Sequence, residues 1–311
     1  MHTPRRRPAI ARPKTTIRLA PTLALSLALA AGTSAAQVTI PGDIVVLPGE
    51  TLAIAEDTTY TGSLTVGAGA TIVADSGVRI GFDPGATLVV NGTAAEPVMF
   101  FPSSGTWDGL LFDRSAAEIT HAAIMDVRNR AIDSIASDVS LSYVQIFDSV
   151  NAPPADQQVR ICIRTQVGGT LTIDRSRIGP YRGRNASTGG TGSLGGTGGT
   201  VFGIDADFLD ALSITRTEFV GIQGGNGGSG GRGADGSNGA NATGNGERGE
   251  DGEPGGDGGT GGTGGGTTVV LATNCDNVFI AQNIVNRIAG GQPGRGGRGG
   301  DGGDGGDGSD G

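Results

Sequence analysis

The chain has 311 residues, 60 of them glycine, with 31 acidic against 22 basic side chains and a net charge of −9. Acidity of this order repels nucleic acid and anionic membrane surfaces, so neither is an expected partner, while divalent cations are attracted. After residue 36 no apolar run approaches the roughly 18 residues of a transmembrane helix, and no membrane span is expected.

Residues 1–36 read as a leader. Arg5, Arg6, Arg7, Arg12, Lys14 and Arg18 form a basic stretch, residues 19–31 an apolar one, and Ser34-Ala35-Ala36 a small-residue cleavage site. This is the pattern of a signal peptide cleaved near Ala36, too short and wrongly flanked for a membrane anchor. The expected location is secreted, extracellular or at the cell surface. Removing the leader takes six of the 22 basic residues and none of the 31 acidic ones, leaving a net charge of −15 and His121 as the sole histidine. An oxidising compartment permits a disulfide between Cys162 and Cys275. The two lie 11 and 5 residues before their repeat anchors, however, and in such unlike positions they read as small semi-buried hydrophobes.

Residues 37–112 are short apolar runs broken by glycine turns. Gly49-Glu50-Thr51-Leu52, Gly69-Ala70-Thr71-Ile72 and Gly85-Ala86-Thr87-Leu88 share one form, and the runs 64–66, 71–73 and 87–90 are strand-length and rich in β-branched residues. From 113 to 289 one spacing returns five times: an aliphatic residue, a large apolar residue five positions on, and a third three beyond. The sets are Ile119/Ile124/Val127, Leu141/Ile146/Ser149 (with Val150 next door), Ile173/Ile178/Tyr181, Ile214/Phe219/Ile222 and Ile280/Val285/Ile288. First anchors are 22, 32, 41 and 66 residues apart, the shortest gap fitting one turn of a coil and the others a turn plus an insert. A repeat that cannot bury its apolar face alone must stack on its neighbours. Lead-in runs align as Ile161–Thr165, Phe202–Ala206 and Val269–Thr273. Each turn then carries three short strands, with anchors inward and alternate residues outward. No sustained helical period follows the leader, so the expected fold class is all-β, a parallel coil.

The stretch 79–112 resembles the opening of secreted bacterial right-handed parallel β-helix proteins of the pectin-lyase-like kind. The likeness rests on Pro84 to Leu88, Val90 to Ala94, Pro97 to Phe100 and Trp107 to Phe112, and later on Gly203-Ile204-Asp205-Ala206 with Leu212-Ser213-Ile214. It implies a right-handed parallel β-helix over about residues 40–289 outside the glycine inserts. It says little of activity, since such coils serve lyases, hydrolases, adhesins and passive surface proteins alike. The asparagine ladder often seen at the turns of such coils is missing; only Asn283 sits where one is expected.

Glycine concentrates in three segments: an insert at 183–200, an insert at 223–266, and a C-terminal run at 290–311. Their first glycines, Gly183, Gly224 and Gly290, each lie two residues after a third anchor (Tyr181, Ile222, Ile288), which places all three on one corner of the coil. Their period is three. Triplets run in phase from Gly224 to Asn241, lose phase over Ala242–Asn245, and resume from Gly246 to Gly266, as a hairpin would. A three-residue period is that of the polyproline-II helix, with a rise of about 3.1 Å per residue. Bare glycine faces let such helices pack backbone to backbone. The pattern resembles the polyglycine-II bundles of certain phage tail-fibre adhesins and a springtail antifreeze protein. A disordered glycine-rich linker is the competing reading. Collagen is disfavoured by sparse proline, and a calcium-binding nonapeptide array by the lack of a spaced aliphatic residue in 290–311. The last run, unlike the inserts, does not turn back, and the core face of the last coil would lie open. The expectation is a truncated reading frame or fragment lacking at least one further turn, against a disordered acidic-glycine tail.

Catalysis of the lyase or hydrolase kind needs carboxylates converging with an arginine, or paired carboxylates. Asp126, Asp133, Asp148, Asp174, Asp205, Asp207 and Asp210 are available, but only Asp126 and Asp148 share a repeat position, and all read as solvated edge residues. No catalytic or metal-binding residue is assigned and no cofactor is expected, calcium being the one possible ion. One ladder stands out: His121, Tyr143, Arg175, Arg216 and Gln282, two residues after each anchor, would stack outward and suit an extracellular glycan or cell-surface polymer. An ordinary solvated face is the rival reading. Arg177 and Glu218 should form an exposed ion pair between adjacent coils. The expected function is non-enzymatic, structural or adhesin-like, with the glycine inserts as a lateral binding or spacer surface. The alternative is a polysaccharide lyase or glycoside hydrolase on the same coil.

Overall fold

In the computed structural model, residues 16–18, 37–149, 158–244 and 247–307 are described; most of the leader, Val150 and the last residues of the C-terminal run lie outside them. Alternation of β-branched and small residues gives strands with one buried and one open side. In Thr71–Ala74, for example, Ile72 and Ala74 are buried while Thr71 and Val73 are not. Glycine at left-handed φ (Gly49 +74°, Gly69 +69°, Gly85 +83°) turns the chain between the early strands.

The strands form three long parallel sheets, the architecture of a parallel β-helix of eight coils, and a two-stranded sheet pairs Tyr181–Arg182 with Ile222–Gln223. The first face runs from Val38–Ile40 to Thr267–Thr273, the second from Asp43–Val46 to Asn277–Ala281, and the third from Thr51–Ile54 to Ile284–Asn286. The second sheet carries one more strand, Thr16–Arg18, beside Asp43–Val46 and inside the segment read as a leader. No helix occurs among the described residues.

The anchors stack as their spacing requires. Ile119 pairs with Leu141, Leu141 with Ile173, Ile173 with Ile214 and Ile214 with Ile280. The second anchors follow in the order Ile124, Ile146, Ile178, Phe219, Val285. Tyr60, Phe82 and Phe112 stack on successive coils, with ring centroids 5.4 and 5.0 Å apart. Trp107 is buried and donates its Nε1–H to the Met125 carbonyl at 2.8 Å. Gly109 of the same motif admits no side chain, because a Cβ would overlap the Arg130 carbonyl of the next coil. One lead-in alignment is corrected by a residue: Phe202 pairs with Thr268, not Val269, and Ile204 with Val270. A one-residue slip exchanges the two sides of a strand, so Val270 turns toward the core and Leu271 outward.

Two corners of each later coil are made by single non-glycine residues at left-handed φ. Arg114, Ala136, Val167, Phe208 and Asn274 (φ +47° to +64°) join the first face to the second; His121, Tyr143, Arg175, Arg216 and Gln282 (φ +45° to +58°) join the second to the third. This conformation costs roughly 1–2 kcal/mol per L-residue. In the coils before the last, each corner N–H is satisfied by the next coil, as Tyr143 donates to Asp174 O at 3.1 Å. Just inside the second corner, hydroxyls stand where an asparagine ladder was lacking. The N–H of Val144 donates to Ser176 Oγ (3.1 Å), that of Ser176 to Thr217 Oγ1 (3.4 Å) and that of Thr217 to Asn283 Oδ1 (2.8 Å).

The glycine segments leave one corner as ordered runs. Outgoing 183–192 and returning 193–199, outgoing 224–244 and returning 247–266, and outgoing 290–307 lie side by side, bonded at every third residue. Gly225, Gly228 and Gly231 donate to Gly199, Gly196 and Ser193 at 2.8–3.0 Å; Gly256, Gly259, Gly262 and Gly265 donate to Ala234, Gly231, Gly228 and Gly225 at 2.7–2.8 Å. Gly294, Gly297 and Gly300 donate in turn to Gly262, Gly259 and Gly256. The linker reading is therefore replaced by a laterally bonded bundle. An 18-residue run at the polyproline-II rise reaches about 56 Å from the body.

Candidate functional site

Three places gather side chains that could act. The corner ladder is real as a stack, but it lies on an edge rather than a flat face, because each member is the left-handed residue that bends the chain. The rings of His121 and Tyr143 are parallel within 3° at 4.4 Å, and the Arg175 guanidinium lies 5.5 Å from the Tyr143 centroid. Arg216 binds Asp174 of the preceding coil through Nε (2.8 Å) and Nη2 (2.7 Å), and Thr215 Oγ1 adds a 2.6 Å bond to the same carboxylate. Partial burial works against ionisation of Asp174, but these hydrogen bonds and the nearby arginines outweigh it and hold the carboxyl below its ordinary range. The ladder thus presents an aromatic step, then two arginines, along one edge.

A second site was not legible in the sequence. On the outside of the first face, Asp108 and Asp133 converge with Arg79, Arg128, Arg130 and Arg164 around a groove of about 300 Å³ lined also by Asn129. Arg128 grips Asp108 through Nε (2.8 Å) and Nη2 (3.0 Å); Arg164 grips Asp133 in the same way (2.8 and 3.1 Å), and Arg130 Nη1 adds a third bond at 2.9 Å. Asn129 Oδ1 and Arg130 Nε are buried there with no hydrogen-bond partner. Asp133 is thus no solvated edge residue. Among the described residues no group of three metal-ligating side chains comes together.

The third site is buried. Arg160 is 1% exposed and uses all its donors: Nη1 and Nη2 to Asp148 (2.5 and 2.8 Å), Nη1 to Arg182 O (3.0 Å), Nη2 to Val127 O (2.5 Å) and Nε to Arg128 O (3.1 Å). Its guanidinium lies 3.8 Å over the Tyr181 ring, whose hydroxyl donates to Asn129 O at 2.6 Å. Asp148, expected to be solvated, has a side chain only 11% exposed; partial burial pushes its carboxyl up against the pull of Arg160. Asp126 shares its repeat position yet accepts only the Ser149 N–H. Because Arg182 and Tyr181 lead into the first insert, this cluster clamps the root of the glycine arm to the coil.

The remaining candidates do not join a site. Asp205 is pushed up by burial, with Arg164 pulling the other way. Asp207 accepts from Asn274, and Asp210 caps the Gly169 N–H. Arg177 and Glu218 form the expected exposed pair at 3.1 Å. Both cysteines are free; burial pushes the Cys162 thiol well up, as suits an inert core residue. No family model, curated protein or solved structure matches the chain.

Proposed function

We propose that the chain is a secreted or cell-surface protein without catalytic activity: its coil a rigid stalk of the right-handed, pectin-lyase-like kind, its glycine bundle a projecting arm that spaces or binds. The observation carrying this reading is the set of lateral backbone bonds at every third residue, which gives a stiff arm clamped through Arg160 to one corner. A loop meant only to connect would not need its glycines so close. The basic leader with its small-residue end supports export. The edge formed by His121, Tyr143, Arg175, Arg216 and Gln282 is the contact proposed for an extracellular glycan, since aromatic and arginine side chains at coil spacing match a linear polymer.

The test is retention of extracellular polysaccharides on the immobilised full chain. The Tyr143→Ala, Arg216→Ala double variant should lose most of the retention while keeping the parent's β-rich circular dichroism; equal retention would overturn the ladder. A lyase or hydrolase acting in the Asp108–Asp133 groove is the second reading, favoured by the convergence of arginines and carboxylates there. Incubation with pectin and alginate separates the two. Formation of unsaturated or reducing ends at about 1 s⁻¹ or faster would establish an enzyme and sink the structural reading.

A further inference from the structure

We propose that the groove at Asp108 and Asp133 binds a tetrahedral oxyanion, sulfate or phosphate, either free or carried as a single ester group. The inference is separate from the corner ladder and requires no catalysis.

Outside the leader, carboxylates outnumber arginines nearly two to one. Around the groove that ratio is reversed, with Arg79, Arg128, Arg130 and Arg164 about Asp108 and Asp133. Further carboxylates stand at its two ends: Asp57 accepts the main-chain N–H of Arg79, and Asp205 is in register with Arg164. Neither end carboxylate fills the middle.

Two of the four arginines are all that the central carboxylates need. Arg128 holds Asp108 through Nε and Nη2, and Arg164 holds Asp133 through the same pair of nitrogens. A guanidinium fork of this kind engages both oxygens of a carboxylate. Arg79 and Arg130 are therefore surplus. Among the described residues Arg79 makes no side-chain hydrogen bond, and it comes only within 3.9 Å of Asp108. Arg130 makes one, from Nη1 to Asp133 at 2.9 Å, while its Nε is buried with no acceptor and the neighbouring Asn129 Oδ1 is buried with no donor. Guanidinium groups with donors to spare on one groove are suited to an incoming oxyanion.

The wall that carries Arg128, Asn129 and Arg130 is fixed from inside. Arg160 donates to Val127 O and Arg128 O, and the Tyr181 hydroxyl donates to Asn129 O. The Arg128 N–H in turn donates to Trp107 O at 2.7 Å. Three successive carbonyls are thus held by buried groups, so a ligand would not have to order this main chain, and the binding cost is lowered accordingly.

The arrangement also selects the shape of the ligand. A carboxylate has two oxygens in one plane and is filled by one fork, as Asp108 and Asp133 themselves show. Arg79 and Arg130 come from the coils on either side of the one that carries Asp108. A group that meets both needs oxygens directed out of a single plane, which sulfate and phosphate have. The groove, at about 300 Å³, leaves room beside the ion for a sugar that carries it as an ester.

Calorimetric titration of the full chain with sulfate, phosphate, glucose 6-sulfate and acetate, at constant ionic strength in chloride, tests this. Sulfate or phosphate should bind saturably at one per chain, and acetate should not. Saturable binding of glucose 6-sulfate would name an ester as the carrier; its absence beside sulfate binding would name the free ion. The Arg79→Gln, Arg130→Gln double variant leaves each carboxylate in its fork, so it should keep the parent's circular dichroism and weaken sulfate binding at least about tenfold. Arg79→Gln alone, at a side chain that makes no hydrogen bond, should weaken it in the same direction even if the double variant fails to fold. No saturable binding of sulfate or phosphate, equal binding of acetate, or binding indifferent to these variants would each overturn the proposal.

Discussion

Removing Asp148 while leaving Arg160 tests the clamp at the root of the glycine arm. In Asp148→Ala the guanidinium loses two of its bonds, at 2.5 and 2.8 Å, and keeps three to main-chain carbonyls in a site where it is 1% exposed. An uncompensated buried charge costs about 3–5 kcal/mol when one partner is removed. For a chain of this size that corresponds to a fall of roughly 6–20 °C in thermal midpoint. The double variant Arg160→Met, Asp148→Leu removes both charges and should be far milder, since apolar replacement of a buried pair is often near neutral. Trp107 is the sole tryptophan and bridges to Val127, whose carbonyl accepts from Arg160, so its fluorescence reports locally on the cluster. Urea unfolding followed by that signal is the assay. An Asp148→Ala protein within about 1 kcal/mol of the parent, a typical surface-substitution effect, would refute the claim that the pair is structural.

In the core, Ile214→Asp places a carboxylate between Ile173 and Ile280 and should cost several kcal/mol, read as a lowered urea midpoint; an unchanged midpoint would disprove the register. In the arm, Gly228→Ser drives a side chain into the Ser187 carbonyl while Ala234→Ser enters solvent, so only the first should speed hydrogen exchange across 224–265. Asp174 has a folded pKa below its unfolded value near 3.9, so it contributes stability above pH 4 that disappears as pH falls through the lower folded pKa. Asp174→Asn should remove that part of the acid dependence, and an unaltered pH–stability curve would count against it. A thiol reagent should modify half-exposed Cys275 in the native protein and spare Cys162 until unfolding; fast modification of both would contradict the burial.

The interior was legible because its demands are local and repeated. An anchor, a residue five further on and a third three beyond are what a coil needs, and the order Ile119, Leu141, Ile173, Ile214, Ile280 followed from spacing alone. The lead-in slip at Thr268 arose where the chain reads Thr267-Thr268-Val269-Val270-Leu271, a run apolar on both sides whose inward set the alternation does not mark. The ladder was found by register but misjudged in setting, since His, Tyr and Arg seldom adopt left-handed φ and nothing local announces a corner. The Arg160 clamp and the Asp108–Asp133 groove left little trace. Their partners come from other coils and largely from main-chain carbonyls, for which a sequence has no symbol. One indirect signal existed: Arg160 stands two residues before Cys162 in an apolar strand, on a side where Val201 of the next coil is buried.

The glycine arm shows how a sequence unlikely to fold alone is made to fold. Each glycine ordered carries a larger backbone entropy cost than any other residue, and a free glycine chain in water gains little by hydrogen-bonding to itself. The coil changes that balance in two ways. Its strands stack about 4.8 Å apart, and because Arg182, Gln223 and Ala289 occupy one register column, successive runs leave the corner at that same spacing. Outgoing and returning halves then meet neighbours already in place, and each added triplet bonds laterally without a fresh search. Along the outgoing 224–244 run the second triplet position keeps glycine at Gly225, Gly228 and Gly231, where a carbonyl of the first insert would meet a Cβ, and carries Ala234, Ser237 and Ala240 past that insert's tip. On that face the triplet composition records how far the neighbouring run extends, and the runs stay ordered as far as such neighbours accompany one another away from the coil.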